Sequence, residues 1–226
     1  MSTPAALRID FVSDVSCPWC VIGLWSLEAA LSQLAGEVNA EIHFQPFELN
    51  PDMGAGGENI EEHIARKYGA APAQFAQSQE MIRARGAQLG FEFDMAKRRR
   101  IYNSFDAHRL LHSVAGTDKQ RELKRALFKA YFTDGRDVSD HAVLREVAAS
   151  AGLDAQRTEQ ILASNEFADE VRAQERLYQA KGIHAVPSVI LDDRYLVQGG
   201  QPVEVFVQAL RQAGREHARA PRSERA

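Results

Sequence analysis

The chain holds two cysteines, Cys17 and Cys20, separated only by Pro18 and Trp19. Two thiols at this spacing can sit inert in a core, supply half of a zinc site, or exchange disulfides. A four-ligand zinc site normally needs a second CxxC or a histidine pair at suitable spacing. There is no third cysteine. Thiol–disulfide exchange is therefore the chemistry the pair best suits. One thiolate attacks a disulfide sulfur, and a neighbouring thiol then displaces the bound partner.

The surrounding pattern explains why these thiols would react. Leu7 to Val12 reads as a strand with Leu7, Ile9 and Phe11 on one face. After Cys20, the residues Leu24, Leu27, Leu31 and Leu34 recur at helical spacing, and Gly36 ends the run. The dithiol thus lies where a strand gives way to a helix. The first helical turn has unpaired N–H groups and a partial positive charge, which favour a thiolate. Pro18 suits the first helical position, where no N–H is needed. Cys17 is expected to be the exposed nucleophile and Cys20, one turn deeper, the shielded resolving thiol. Trp19 would form an apolar lip, and Asp14 would either serve its turn or tune and relay a proton to Cys20.

Further on, Ile42 to Pro46 reads as a second strand, and residues 50–57 form a turn-rich break. From there to about residue 165 the signals are almost all helical; Leu123, Leu127, Ala130 and Tyr131 are one such run. A helix carrying Phe167, Val171 and Tyr178 follows. Ser188–Leu191 and Tyr195–Gln198 read as a hairpin turning at Asp192-Asp193. Gly199-Gly200 and Pro202 open a last helix with Val203, Phe206, Val207 and Leu210 on one face. Neither end of the chain has enough strands to stand alone, so the two must complete one sheet. The expected layout is an α/β domain over 1–50 and 166–214, a helical insertion over 51–165 and a polar tail over 215–226.

Composition narrows the class. The chain has 226 residues, 45% hydrophobic and 26% charged, which excludes a disordered chain. A net charge of −4 excludes the basic footprint of a nucleic-acid binder. The run Lys97-Arg98-Arg99-Arg100 therefore reads as a solvated basic patch. No apolar stretch approaches the ~18–20 residues of a membrane span. The opening Met1–Arg8 lacks a basic leader with an apolar run, so a cytoplasmic protein is expected. His108 and His112 share a helix face but lack the glutamate of a zinc-protease helix, so no metal site is expected.

Cys17-Pro18-Trp19-Cys20 after a strand, a helical insertion, and Ala185-Val186-Pro187-Ser188 before a late strand resemble the DsbA family of the thioredoxin superfamily. The segments Phe47–Pro51, Asn103–Leu111, Ala130–Asp137, Gly182–Pro187 and Gly199–Gln201 resemble its FrnE-like branch. The resemblance spans roughly residues 8 to 212. It implies a thioredoxin-like fold with a large α-helical insertion. It also implies a cis bond between Val186 and Pro187 facing the dithiol. The Val186 backbone would then pair with a bound substrate, while Pro187 keeps a backbone donor away from the sulfurs. Asn103, Phe105, Asp106 and His108 match the branch motif and are expected either on the insertion face over the dithiol or at a domain interface.

The same branch includes 2-hydroxychromene-2-carboxylate isomerases and kappa-class glutathione transferases, in which a serine replaces the first cysteine. This chain keeps Cys17 and Cys20, which favours a disulfide oxidoreductase over a glutathione-dependent isomerase or transferase. A holdase-type chaperone using the apolar surface around Trp19 is the non-enzymatic alternative. The expected partners are protein or small-molecule thiols and disulfides, with no resident cofactor. Glutathione is a candidate cosubstrate whose carboxylate free N–H groups at Gly200 and Gln201 could hold. A homodimer is the default assembly.

Overall fold

A computed structural model describes residues 6–219. The central sheet draws strands from both ends of the chain. Strand β1 (Leu7–Ser13) pairs parallel with β2 (Ala40–Pro46), aligning Ile9 with Ile42 and Phe11 with Phe44. On its other side β1 pairs antiparallel with a late strand, Ser188–Leu191, setting Phe11 opposite Val189. That strand forms a hairpin with Tyr195–Gln198, so the early strands and the late hairpin make one four-stranded mixed sheet. Asp192 and Asp193 both adopt positive φ at the hairpin, and the Arg194 N–H closes the turn on the Leu191 carbonyl. Aspartate tolerates this conformation better than a branched residue.

Helix α1 (Pro18–Gln33) connects β1 to β2 and is buried along most of its length. Leu24 and Leu27 meet Leu7, Ile9 and Phe11 from the sheet and Phe206 and Leu210 from the last helix in one apolar cluster. The opposite sheet face buries Val12, Phe47, Tyr178, Ile183 and Ile190 in a second cluster.

Between these parts the chain forms β3 (Glu58–Asn59), α2 (Ile60–Tyr68), α3 (Pro72–Gln88), β4 (Arg100–Ile101), α4 (Phe105–Ser113), α5 (Asp118–Phe132), α6 (His141–Ser150) and α7 (Ala155–Leu162). Helix α8 (Ala168–Ala180) then leads to β5 (Ser188–Leu191), β6 (Tyr195–Gln198) and α9 (Val203–Arg219). Asn59 caps α2 and Asp140 caps α6 through their side chains, as short polar residues do. The main apolar cluster continues without a break into α5, through Leu123, Leu127, Phe128 and Phe132. The insertion therefore packs onto the back of the dithiol helix.

Three local expectations change. β3 and β4 form a two-stranded ribbon inside the helical stretch, each strand too short to show alternation. Residues 215–219 of the expected polar tail are helical, because His217 is buried and bonded to Asp192; residues 220–226 lie outside the described residues. The basic run is not simply solvated: Arg98 is buried, donates to the Ser16 carbonyl, and stacks on Tyr131 and Phe132 at 5.1 and 4.9 Å.

Candidate active site

Cys17 occupies the N-cap of α1 in an extended conformation, and Pro18 fills the first helical position. The Cys20 amide donates to the Cys17 carbonyl at 3.1 Å, closing the first turn. The thiols are free. Cys20 is fully buried, and Cys17 is 4% exposed, so the expected contrast in exposure is small. What separates them is direction. The Cys17 thiol points across the molecule and donates to the Val186 carbonyl at 3.6 Å. Burial, reinforced by Cys17, pushes the Cys20 thiol well above its ordinary range.

The Val186–Pro187 bond is cis, as the resemblance implied. Two glycines let α1, this loop and the β6–α9 turn converge. A Cβ at Gly23 would lie 2.9 Å from the Pro187 ring, and one at Gly200 would lie 3.0 Å from the Trp19 carbonyl. Trp19 is half-buried, with the Arg85 guanidinium 5.6 Å from its ring. Tyr68, at the end of α2, is largely exposed; partial desolvation and then the charges of Cys17 and Asp14 push its phenol up.

Asp14 is more than a turn residue. It is fully buried and accepts from the Ser16 N–H at 3.0 Å, the Ser16 hydroxyl at 2.9 Å and the Leu49 N–H at 2.6 Å. His108 Nε2 stands 3.7 Å from it, beyond hydrogen-bonding distance. Burial opposes its ionisation, but His108 and the Ser16 and Leu49 amides outweigh that cost and hold the carboxyl at about 2.

The other expected contacts divide. His108 reaches the site from beneath, through Asp14. Asn103 accepts from the Phe105 amide and reaches the Met53 carbonyl. Phe105 lies under the Arg172 guanidinium at 4.0 Å, and Asp106 binds Arg109 and His141. These three sit in contacts within the protein. Gly200 packs on Trp19, but the Gln201 N–H is already donated to Gly199, so it is not a free donor for a carboxylate.

Sequence reasoning missed Lys124 and Glu48. Lys124 is 1% exposed, and burial lowers its amine to about 8 against the pull of Cys20, Asp14 and Cys17. Its signal was a lysine sharing the apolar face of Leu127 and Tyr131. Glu48 is buried with Glu175 against one arginine, Arg172. Burial and then Glu175 push Glu48 up to about 8, because one guanidinium cannot neutralise two carboxylates.

Residues 8–211 match the family model described as a DSBA-like thioredoxin domain. A crystal structure of a probable DsbA oxidoreductase from Streptomyces coelicolor is 35% identical. It superposes with a TM-score of 0.88 over 95% of this chain and 92% of that one. A 2-hydroxychromene-2-carboxylate isomerase shares the fold at 16% identity, with a TM-score of 0.65 over 94% and 98% of the two chains. The cytosolic disulfide reductase DsbM from Pseudomonas aeruginosa, solved with glutathione, does so at 17% identity, with a TM-score of 0.59 over 95% and 100%. With a Cys17–Cys20 pair at a helix start, a cis-proline beside it and a family match along most of its length, the chain belongs to the DsbA-like thioredoxin domain family.

Proposed function

We propose that the protein is a thiol–disulfide oxidoreductase in which Cys17 is the nucleophile and Cys20 the resolving thiol. The observation that carries this reading is the orientation of the pair. Cys17 sits at a helix N-cap with its sulfur toward the Val186 carbonyl, while Cys20 lies fully buried one turn deeper. In the reducing direction the Cys17 thiolate attacks a substrate disulfide and expels one thiolate, forming a mixed disulfide. Cys20 then attacks the Cys17 sulfur, closes the Cys17–Cys20 disulfide and releases the second substrate thiolate. Positive helix-terminus amides favour negative charge on Cys17 throughout. The Val186 carbonyl borders the reacting sulfur, and it and the half-buried Trp19 are the surfaces a substrate would touch.

The substrate class is protein or small-molecule disulfides. Glutathione is the small thiol that the likeness to glutathione-bound DsbM supports, and a cytosolic setting goes with it. Among the described residues no helix is long and apolar enough to cross a membrane. The test is disulfide trapping with glutathione disulfide and with insulin. Cys20→Ser should accumulate a mixed disulfide at Cys17, and Cys17→Ser should form none. Turnover of small aromatic electrophiles that persists without Cys20 would favour the glutathione-dependent isomerase reading instead.

A further inference from the structure

A cavity of about 150 Å³ lies where β2, an edge strand of the main sheet, meets α4, α5 and α8. Arg8, His43, His108, His112 and Lys124 stand in its wall, and no aspartate or glutamate does. Phe44, Pro46 and Leu111 give the same wall an apolar side. None of Cys17, Trp19, Cys20 or Val186 borders it, so the cavity is separate from the dithiol. Arg8 is exposed and His43 and His112 are half-buried, which brings the wall to solvent.

The polar groups of this wall differ in what they already bind. Arg8 gives two hydrogen bonds to Asp10, at 2.9 and 2.6 Å. Gln45, also in the wall, donates to Asp10 at 2.7 Å. Gln120 closes the free edge of β2, accepting from the Phe44 amide at 3.4 Å and donating to the Phe44 carbonyl at 3.3 Å. Lys124 has no such partner. It is 1% exposed, and its amine lies 5.0 Å from the Phe128 ring centre. Among the described residues it makes no hydrogen bond or ion pair. The His112 ring lies 5.2 Å from the Phe167 ring, and it too makes no hydrogen bond among the described residues. His108 Nε2 is buried without a hydrogen-bond partner.

A buried ammonium needs acceptors, and a negative one offsets its burial best. Burial lowers the Lys124 amine to about 8, the direction expected where no counter-charge touches it. Water could fill the cavity but would bring no charge. At about 30 Å³ for each water in the liquid, the space equals about five waters, which is room for a carboxylate with a short hydrocarbon end.

We propose that this cavity is a binding site for a small monocarboxylate, with Lys124 as its ionic partner and Phe44, Pro46 and Leu111 against its hydrocarbon end. One negative charge is the match, because the Arg8 charge is already met by Asp10 and Lys124 is the fixed cation of the wall that no carboxylate meets. His112 and His43 offer further ring nitrogens from the half-buried part of the wall. A second negative charge on the ligand would have to lie against the apolar side. The site stands on the cavity's own geometry and not on the redox reading.

The experiment is isothermal titration calorimetry of the reduced full chain at pH 7, in a buffer free of carboxylate and phosphate. Propionate is the probe, with propionamide and inorganic phosphate beside it. Propionate should bind saturably, one to one, and propionamide, of the same shape without the charge, should not. Lys124→Met should weaken propionate by about tenfold or more, the loss of one charge-assisted hydrogen bond. No saturable propionate binding by the wild type, equal binding of propionamide, or unchanged affinity in Lys124→Met overturns the proposal. Phosphate binding tighter than propionate overturns the single-charge, part-apolar ligand. If Lys124→Met does not fold, NMR of the wild type decides. Propionate should shift the Leu111 methyl signals and leave the Trp19 indole in place, and the reverse pattern overturns the site. Thiol trapping reads none of these signals, so the redox reading and this one fail separately.

Discussion

The Cys17 thiol donates to the Val186 carbonyl across 169 residues of chain, at 3.6 Å. This contact joins the first strand–helix junction to the loop before β5, so it forms only when both ends of the chain have met in one sheet.

The division of labour gives the first prediction. Cys20→Ser should leave a stable adduct on Cys17 after exposure to glutathione disulfide, seen by mass spectrometry as one added glutathione. The wild type should instead hold an internal disulfide, and Cys17→Ser should stay unmodified. An adduct on Cys20 in the Cys17→Ser protein would contradict the assigned burial.

Asp14 gives a prediction about stability. Its carboxyl titrates at about 2 in the folded protein, against about 3.9 in an unfolded chain. A depressed folded value means a stabilising contribution that is fully present above about pH 4 and lost as pH falls toward 2. The contribution is on the order of 2 kcal/mol. Asp14→Asn should therefore be less stable at pH 7 in urea unfolding, with the gap to wild type narrowing on acidification. A constant gap down to pH 2 would show that the carboxylate charge is not what matters.

Glu48 has the opposite sign. Its folded value is raised to about 8, so stability is greatest where the carboxyl is protonated in both states and declines as pH climbs from about 4.3 through 8. Glu48→Gln should flatten that decline while keeping the Arg172 contact. Melting temperature against pH is the measurement, and an equally steep decline in the variant would contradict the shared-arginine account.

The close approach of Gly23 to Pro187 yields a prediction about geometry. A Cβ there would meet the Pro187 ring at 2.9 Å, and a branched side chain has no flexible end to move aside. Gly23→Val should displace the loop from α1, lower the rate of Cys17 adduct formation at least severalfold and destabilise the protein by about 1–3 kcal/mol. Rates equal to wild type would mean the loop is not held by this contact.

The dithiol, its strand–helix setting and the late hairpin were legible because each has a local signature: CxxC spacing, a change of period, and paired turn residues. The cis bond was legible only through family resemblance, since nothing in Val186-Pro187 itself marks it. The rest of the site was not local. Asp14 is significant because Leu49, 35 residues on, donates to it, and Glu48 because Arg172 comes from 124 residues away. Lys124 was marked only by its place on the apolar face of α5, and spacing does not say what that face packs against. Arg98 was hidden in a basic run for a similar reason: spacing says nothing about which of four cations turns inward.

The most direct test of the dithiol account is equilibration of the purified chain in glutathione redox buffers, followed by acid quench and alkylation of free thiols. The account predicts a single transition in which Cys17 and Cys20 lose their thiols together, fitting a two-electron couple, with the bond located between them by peptide mass. Thiols that stay free across the whole range, or that oxidise only as separate adducts, would contradict it.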